Sequence, residues 1–165
     1  MHRRPGRLDS PVEPDEGWLP EPDEATVAAM SGFVLERWRE RAREMGLPGP
    51  VDLSGSCRFS SLFVQGLHGG RIRGNLHHFH VRTDGGRIID LNAAAADVEA
   101  LRGGGRDPYS HHRSFVASRD VRDSFDTCRP RVDRWIALWR SLRAGRDESS
   151  VDPSRPVIRV DAGMA

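Results

Sequence analysis

Apolar residues recur three or four positions apart in two long stretches of the chain, a spacing that predicts amphipathic helices. In the first stretch, residues 22–50, acidic residues stand at the beginning and Gly46 and Pro48 at the end, as is typical of helix termini. The second stretch lies late, in residues 128–145. The apolar positions of the first are Val27, Met30, Val34, Leu35, Trp38 and Met45, and those of the second are Val132, Trp135, Ile136, Leu138, Trp139 and Leu142.

Between these stretches the pattern changes from helical to strand-like. The segment "CRFSSLFVQGLH", residues 57–68, predicts a helix that ends at a pair of glycines. "RIRG" begins a strand, and "LHHFHVRT" and "RIIDLN" predict a hairpin around the turn "DGG". "AAAADVEALRGG" predicts a short helix, and residues 106–128 predict irregular loops. Helices beside a small antiparallel sheet indicate an α+β domain.

The two ends of the chain differ in composition from the middle. Residues 1–22 carry five prolines among acidic residues and glycine, so we expect a disordered or extended N-terminal arm. Residues 23–146 contain the periodic segments and form the predicted domain. Residues 147–165 are expected to form a flexible C-terminal tail, in which "VIRV" has the composition of an edge strand.

Composition and charge exclude several classes of protein. The net charge is +1, so no global field attracts nucleic acid. No apolar run approaches the roughly 18 residues that cross a membrane. The N-terminal residues contain no apolar signal segment, so we expect a cytoplasmic protein, or one exported by a route that needs no such signal. The two cysteines are expected to be free thiols.

The predicted hairpin brings histidines and an acid together. A three-residue Asp-Gly-Gly loop pairs Thr83 with Arg87, and side chains alternate between the faces of a strand. One face then carries His78, His80, Asp90 and Asn92, and the opposite, apolar face is expected to contact the core. A two-residue turn would place Asp90 on the wrong face.

Cys57 begins the helix that precedes this hairpin. The partial positive charge at a helix N-terminus stabilises a thiolate, and a neighbouring imidazole accepts the thiol proton. A carboxylate behind the imidazole fixes its tautomer. The backbone N–H of Cys57 is suited to binding a developing oxyanion. The residue types therefore suit a thiol nucleophile with a histidine base and an aspartate.

The stretch "SGSCRFSSLFVQGLHGGRI" and the later "HFHVRTDGGRIIDLN" resemble the YunG-like family of small bacterial proteins, over residues 54–92. That family belongs to the papain-like, transglutaminase-like group of cysteine enzymes. The resemblance implies a papain-like α+β fold with the nucleophile helix packed on an antiparallel sheet. It also implies Cys57 as nucleophile, His78 as base and Asp90 as the orienting acid. Asn92 stands where the family usually has threonine, as a supporting residue.

The resemblance implies acyl chemistry through a thioester, which is amide hydrolysis, deamidation or acyl transfer. The substrate would be an amide- or acyl-bearing small molecule, peptide or protein, and no cofactor is implied. The base is left open, because the hairpin count favours His80 whereas the resemblance favours His78. An oxyanion-hole partner and the oligomeric state are also left open.

Two other functions compete with the enzyme. One is a papain-like binding module that has lost its chemistry. The other is a metal site, because two histidines one residue apart on a strand share a face. Its candidate ligands are His77, His78, His80, Asp90 and Cys57. The motif "YSHH", residues 109–112, is expected to be a polar surface loop, and Cys128 is expected to be structural.

Overall fold

A computed structural model describes Leu8 and residues 17–149 of the chain, with side chains to residue 146. The described part is a mixed domain in which helices pack on a small antiparallel sheet. In chain order its elements are α1 Glu24–Glu44, α2 Cys57–His68, β1 Arg71–Gly74, β2 Phe79–Arg82, β3 Ile88–Ile89, α3 Ala96–Gly103, α4 Arg113–Val116 and α5 Arg119–Ser149. The predicted α+β class is confirmed.

The sheet is a meander in the order β1-β2-β3, with both pairs antiparallel. The predicted register of the second hairpin is confirmed, because Val81 pairs with Ile89. Its loop has three residues. The Thr83 N–H donates to the Arg87 carbonyl oxygen at 2.8 Å, and Gly86 has a φ of 88°, a left-handed conformation that favours glycine.

Helix α2 lies at the centre of the domain, between the sheet and α5. Most of its side chains are buried, including the polar side chains of Ser60, Ser61 and Gln65. The core around it includes Phe63, Leu67, Val81 and Phe125, each fully buried. Burying an aromatic or branched side chain contributes about 1.5–3 kcal/mol. The helix that begins at Cys57 is therefore the most firmly held element of the domain.

Helix α5 begins much earlier than the sequence pattern predicted. The expectation of irregular loops through residue 128 was wrong, since α5 runs from Arg119 and continues through Pro130. Proline in a helix interior removes a backbone hydrogen bond, so the pattern suggested that a helix starts beside it. Burial overrides this local preference. The buried positions of α5 are Val121, Phe125, Cys128, Val132, Trp135 and Trp139, three or four residues apart.

The sheet is buried on both faces, whereas the sequence predicted that only the apolar face would be buried. Phe79 and Val81 contact the apolar core, as expected. His78 and His80, on the opposite face, are only 1% and 2% exposed. The strands are also shorter than predicted, with β2 limited to four residues and β3 to two. The histidine face is thus an internal polar layer.

Part of the N-terminal segment contacts the domain. Leu8 is buried in the core, and its carbonyl oxygen accepts a hydrogen bond from the Ile72 N–H of β1 at 3.1 Å. The Leu19 N–H donates to the Leu67 carbonyl oxygen at 2.8 Å, at the end of α2. The predicted tail and its "VIRV" segment lie outside the described residues.

Gly70 provides a test of the connection between α2 and β1. Its φ is 85°, and an added Cβ would lie 2.8 Å from Val81 Cγ1 and 2.9 Å from the Arg82 carbonyl oxygen. Gly46 also has a positive φ, of 66°, but an added Cβ there meets nothing within 4 Å. Each alanine substitution should lower the free energy of unfolding by about 1–2 kcal/mol through backbone strain. Gly70→Ala should lower it further by about 1–3 kcal/mol through overpacking, measured by urea denaturation. Equal losses in both variants would contradict this packing.

Candidate active site

Asp90 and His78 form a buried pair on the inner polar face of the sheet. The Nε2 atom of His78 lies 2.9 Å from Asp90 Oδ2, and the side chains are 1% and 4% exposed. Asp90 follows directly after β3. The register that pairs Val81 with Ile89 places Asp90 opposite His80 and diagonal to His78. Asp90 Oδ1 also accepts from the Asn92 N–H at 2.9 Å, which fixes the carboxylate. Both polar groups are therefore held in one orientation.

The Cys57 thiol lies close enough to the His78 ring to help raise the pKa of that ring. Since His78 Nε2 contacts Asp90, the nitrogen that remains for the thiol is Nδ1. Cys57 is the first residue of α2 and is partly buried against the core. The first N–H groups of a helix have no intrahelical acceptor. The sulfur therefore lies between a histidine ring and a set of backbone donors.

The turn before β2 sets the direction of the His78 side chain. Asn75 Oδ1 accepts from the N–H groups of His77 and His78, at 2.8 and 3.1 Å. The Asn75 N–H donates to the His78 carbonyl oxygen at 3.0 Å, so the two residues close a tight turn between β1 and β2. His78 therefore has a rigid backbone on both sides, although it stands next to a turn.

The two buried histidines differ in their electrostatic surroundings. Burial opposes the charged form of His78, but its hydrogen bonds to Asp90 and Cys57, and their charges, raise its pKa to about 9. Burial is the main cause that lowers the pKa of His80 to about 4, and the charge of His78 is the second. The rings are stacked with centroids 6.4 Å apart. Of the two candidates for a base, only His78 contacts both Cys57 and Asp90.

Asn92 connects the sheet to the loop before Cys57. It is fully buried, and its Nδ2 donates to the Leu53 carbonyl oxygen at 2.6 Å and to Ser56 Oγ at 3.1 Å. Ser56 Oγ in turn donates to the Leu53 carbonyl oxygen at 2.7 Å. Asn92 therefore holds the residue that precedes the thiol, and its contribution is to position the start of α2.

A second set of contacts joins the same loop to the start of α3. Asp52 Oδ2 accepts from the Ala96 N–H at 2.8 Å, and Asp97 Oδ2 accepts from the Gly55 N–H at 2.8 Å. The Asp97 N–H donates to Ser54 Oγ at 3.2 Å. These crossed bonds satisfy helix and loop donors together. They stiffen the backbone that leads into Cys57.

Tyr109 completes the surroundings of Asp90 and was missed by the sequence analysis. Its hydroxyl donates to Asp90 Oδ2 at 3.1 Å, and its ring lies edge-on to His80 with centroids 5.1 Å apart. Arg102 Nη2 donates to the Tyr109 hydroxyl at 3.2 Å. Burial raises the pKa of Tyr109 to about 12, helped by the charge of Asp90.

The segment "YSHH" is a partly exposed loop, as expected, but it also contacts the site, which was not expected. Besides the contacts of Tyr109, His111 Nδ1 accepts from the Gly74 N–H at 3.3 Å, which attaches this segment to β1. The signal in the sequence was a solitary tyrosine, the only one in the chain, among polar residues. Nothing local in that segment indicates which partner the tyrosine takes.

The geometry also bears on the other candidates. Among the described residues, no group of three or more His, Cys, Asp and Glu side chains is arranged to hold a metal ion. His77, one of the candidate ligands, is exposed, and its Nε2 lies 3.2 Å from Arg106 Nη1. Cys128 is buried, its thiol donates to the Ser124 carbonyl oxygen at 3.3 Å, and burial raises its pKa. None of the helices in the described residues is long and apolar enough to cross a membrane.

No family model matches the chain, and neither the curated proteins nor the solved structures contain a match to it. The site must therefore be interpreted from its own geometry.

The two histidines should be separable by titration. In ¹⁵N-detected NMR spectra, we expect the His78 ring to stay protonated up to about pH 9 and the His80 ring to stay neutral down to about pH 4. Asp90→Asn removes the main partner of the His78 cation, so it should lower the pKa of His78. Two rings that titrate together near pH 6.5 would contradict the geometry.

The same shifts predict how stability depends on pH. Because the pKa of His78 is raised from 6.5, its stabilising contribution is full below pH 6.5 and is lost as the pH rises to about 9. Because the pKa of His80 is lowered, the protein loses stability as the pH falls from 6.5 towards 4. Urea denaturation across pH measures both effects. Asp90→Asn should reduce the loss of stability between pH 6.5 and about 9, and His80→Gln should reduce the loss between pH 6.5 and about 4.

Proposed function

We propose that the protein is a cysteine enzyme that carries out acyl chemistry through Cys57, His78 and Asp90. The observation that supports it best is the buried His78 ring, which has a carboxylate on one side and a thiol on the other. A buried carboxylate and imidazole are costly to desolvate, and their removal from water is compensated here by mutual contact. Perturbed pKa values in such a cluster are typical of functional sites.

We further propose a papain-like, transglutaminase-like domain related to the YunG-like family. Two features support this finer description. A central helix begins at the cysteine and packs on an antiparallel sheet. The histidine directly precedes β2 and the aspartate directly follows β3, at the same end of one hairpin. The order cysteine, histidine, aspartate along the chain agrees with the resemblance of residues 54–92.

The first half of the reaction would form a thioester. In the reactive state the proton of the Cys57 thiol has already passed to His78 Nδ1, as the raised pKa of that ring favours, and the sulfur attacks the carbonyl carbon of an amide or ester. The negative charge that develops on the carbonyl oxygen is stabilised by backbone N–H groups at the start of α2, including that of Cys57. When the tetrahedral intermediate collapses, the bond from carbon to nitrogen or oxygen breaks. The leaving group takes the proton from His78.

The second half would release the acyl group. Water gives one proton to His78 and adds to the thioester carbon, and the thiolate then leaves and recovers the proton. This route gives a hydrolase, or a deamidase if the amide is that of a glutamine or asparagine side chain. If an amine takes the place of water, the product is a new amide and the enzyme is an acyltransferase.

Asp90 and Tyr109 would act through His78. The carboxylate keeps a proton on His78 Nε2, so that Nδ1 faces the thiol, and it stabilises the imidazolium. The Tyr109 hydroxyl donates to the same carboxylate oxygen, Oδ2, and thereby holds it in place. His80 would serve as a neutral packing partner, since its pKa of about 4 keeps charge away from the middle of the sheet.

The reactivity of the two cysteines tests the proposal. Iodoacetamide should label Cys57 selectively below pH 7, because the sulfur shares its proton with His78, whereas Cys128 should react slowly because it is buried. Peptide mapping and intact mass measure the rates. His78→Gln should remove the selectivity, and His77→Gln, a change in the exposed neighbouring histidine, should keep it.

If Cys57 reacts no faster than Cys128 at any pH, the proposed enzymatic function is disproved. A papain-like binding module without catalytic activity is then the better description. Metal analysis of the purified protein addresses the metal site separately.

Acyl-enzyme formation provides a second test. With 4-nitrophenyl acetate, the protein should release a burst of nitrophenol, and intact mass should show one acetyl group, located at Cys57 by peptide mapping. Cys57→Ala should abolish the adduct. Asp90→Asn and His78→Gln should slow its formation by about 10²–10⁴-fold. Acetylation that proceeds equally in His78→Gln and in the native protein would contradict the role of the ring.

A further inference from the structure

The sheet face that carries the two histidines continues into a group of arginines. Residues directly opposite each other on neighbouring strands share a face, and Arg73 pairs with His80 while Arg71 pairs with Arg82. The alternation of "RIRG" places Ile72 in the core and both arginines of β1 on the histidine side. A single face thus runs from His78 and His80 to three guanidinium groups.

Two cavities open along these arginines. Of the described residues, Arg71, Arg73, His111 and Arg113 line one cavity of about 350 Å³, and none of these four is acidic. The second, of about 260 Å³, is lined by Arg71, Arg73, Arg82, Thr83, Asp84 and Gly86. Arg71 and Arg73 belong to both cavities, so they lie on the wall between them. We call the first cavity the arginine groove.

The arginines of β1 lack anionic partners in the described part of the chain. The Nε atoms of Arg71 and Arg73 are buried there without a hydrogen-bond partner. No carboxylate of the described residues pairs with either side chain, whereas other arginines, such as Arg102 and Arg131, form ion pairs. A buried N–H of a guanidinium group without an acceptor is costly, and the planar fork of arginine matches a carboxylate or phosphate group.

The arginine groove adjoins the candidate active site. The charges of Arg73 and His111 both act on the His80 ring, and that ring stacks on His78. A strand rises ~3.3 Å per residue, so Arg82 is ~13 Å along the sheet from His78. Arg73, opposite His80, is nearer. The arginines of β1 are therefore only a few residues of extended chain away from His78, a distance that one small molecule or side chain can span.

We propose that the arginine groove binds an anionic group of the substrate, a carboxylate or a phosphate, while the acyl carbon lies at Cys57. The proposal rests on the proposed function for the acyl carbon, but the anion site itself depends only on Arg71, Arg73 and their neighbours. It narrows the substrate class to acyl compounds with an acidic group several bonds from the reacting carbonyl.

Binding to the Cys57→Ser protein tests the anion site independently of catalysis. Inorganic phosphate and succinate are titrated separately by isothermal calorimetry and by NMR, and whichever binds more tightly identifies the preferred group. We expect saturable binding that shifts the side-chain signals of Arg71 and Arg73. Arg73→Gln and Arg71→Gln should each weaken it about tenfold to 100-fold, the loss of one charged hydrogen bond.

Arg119→Gln is the matched control, because that side chain is exposed and lies on α5. It should leave both titrations unchanged. Circular dichroism verifies that each variant folds, and if Arg73→Gln does not fold, Arg71→Gln decides the outcome. The proposal is overturned if neither anion binds saturably, or if Arg119→Gln weakens anion binding as much as Arg73→Gln and Arg71→Gln do.

A kinetic comparison connects the groove to the thiol. The 4-nitrophenyl monoester of glutaric acid carries a carboxylate, and 4-nitrophenyl acetate does not. We expect Arg73→Gln to lower kcat/KM for the first ester about tenfold to 100-fold more than for the second, mainly through KM. Equal effects on both esters would overturn the proposal. If neither ester acylates Cys57 in the native protein, the proposed function fails while the anion titrations still decide the groove.

Discussion

The contact between His78 and Asp90 is the constraint on which the interior of this domain depends. An imidazole and a carboxylate, almost fully withdrawn from water, each lose solvation that their mutual contact replaces in part. Asp90 accepts two further hydrogen bonds, from Tyr109 and from the Asn92 backbone. These donors hold the carboxylate beside the ring, and the carboxylate raises the pKa of the ring. A polar layer on the sheet is thereby stable where an apolar face would be expected.

The same layer fixes the start of α2. Asn92, two residues after Asp90, bonds to the carbonyl of Leu53 and to Ser56, so the hairpin and the loop before Cys57 move as one body. The contacts of Asp52 and Asp97 attach that loop to α3 from the other side. A thiol at the end of a helix needs this support, because a shift of one ångström separates it from the ring that takes its proton.

Neighbouring histidines on one strand face acquire opposite properties through their partners alone. His78 has a carboxylate and a thiol, so charge is stabilised there despite burial. His80 has the His78 charge and the positive charges of Arg73 and His111 around it, so it stays neutral. The arginines of β1 extend this positive field along the sheet. The arginines at one end of this face would attract the acidic group of a substrate, and the reactive thiol lies at the other end.

Local periodicity in the sequence determined α1, α2 and the hairpin register, because alternation and the odd loop length decide which side chains share a face. The alternation also placed His78, His80, Asp90 and Asn92 on one face, whereas Cys57 became a candidate through its residue type at a helix start and through the family resemblance. Only tertiary structure decided that His78 contacts Cys57, that Asn92 reaches Ser56 and that Tyr109 reaches Asp90, since these contacts join residues 12 or more positions apart through packing. Burial also carried α5 through Pro130 against its local preference, and strand pairing gathered the arginines into one groove. Such contacts depend on distances across the folded core, which no periodicity along the chain encodes.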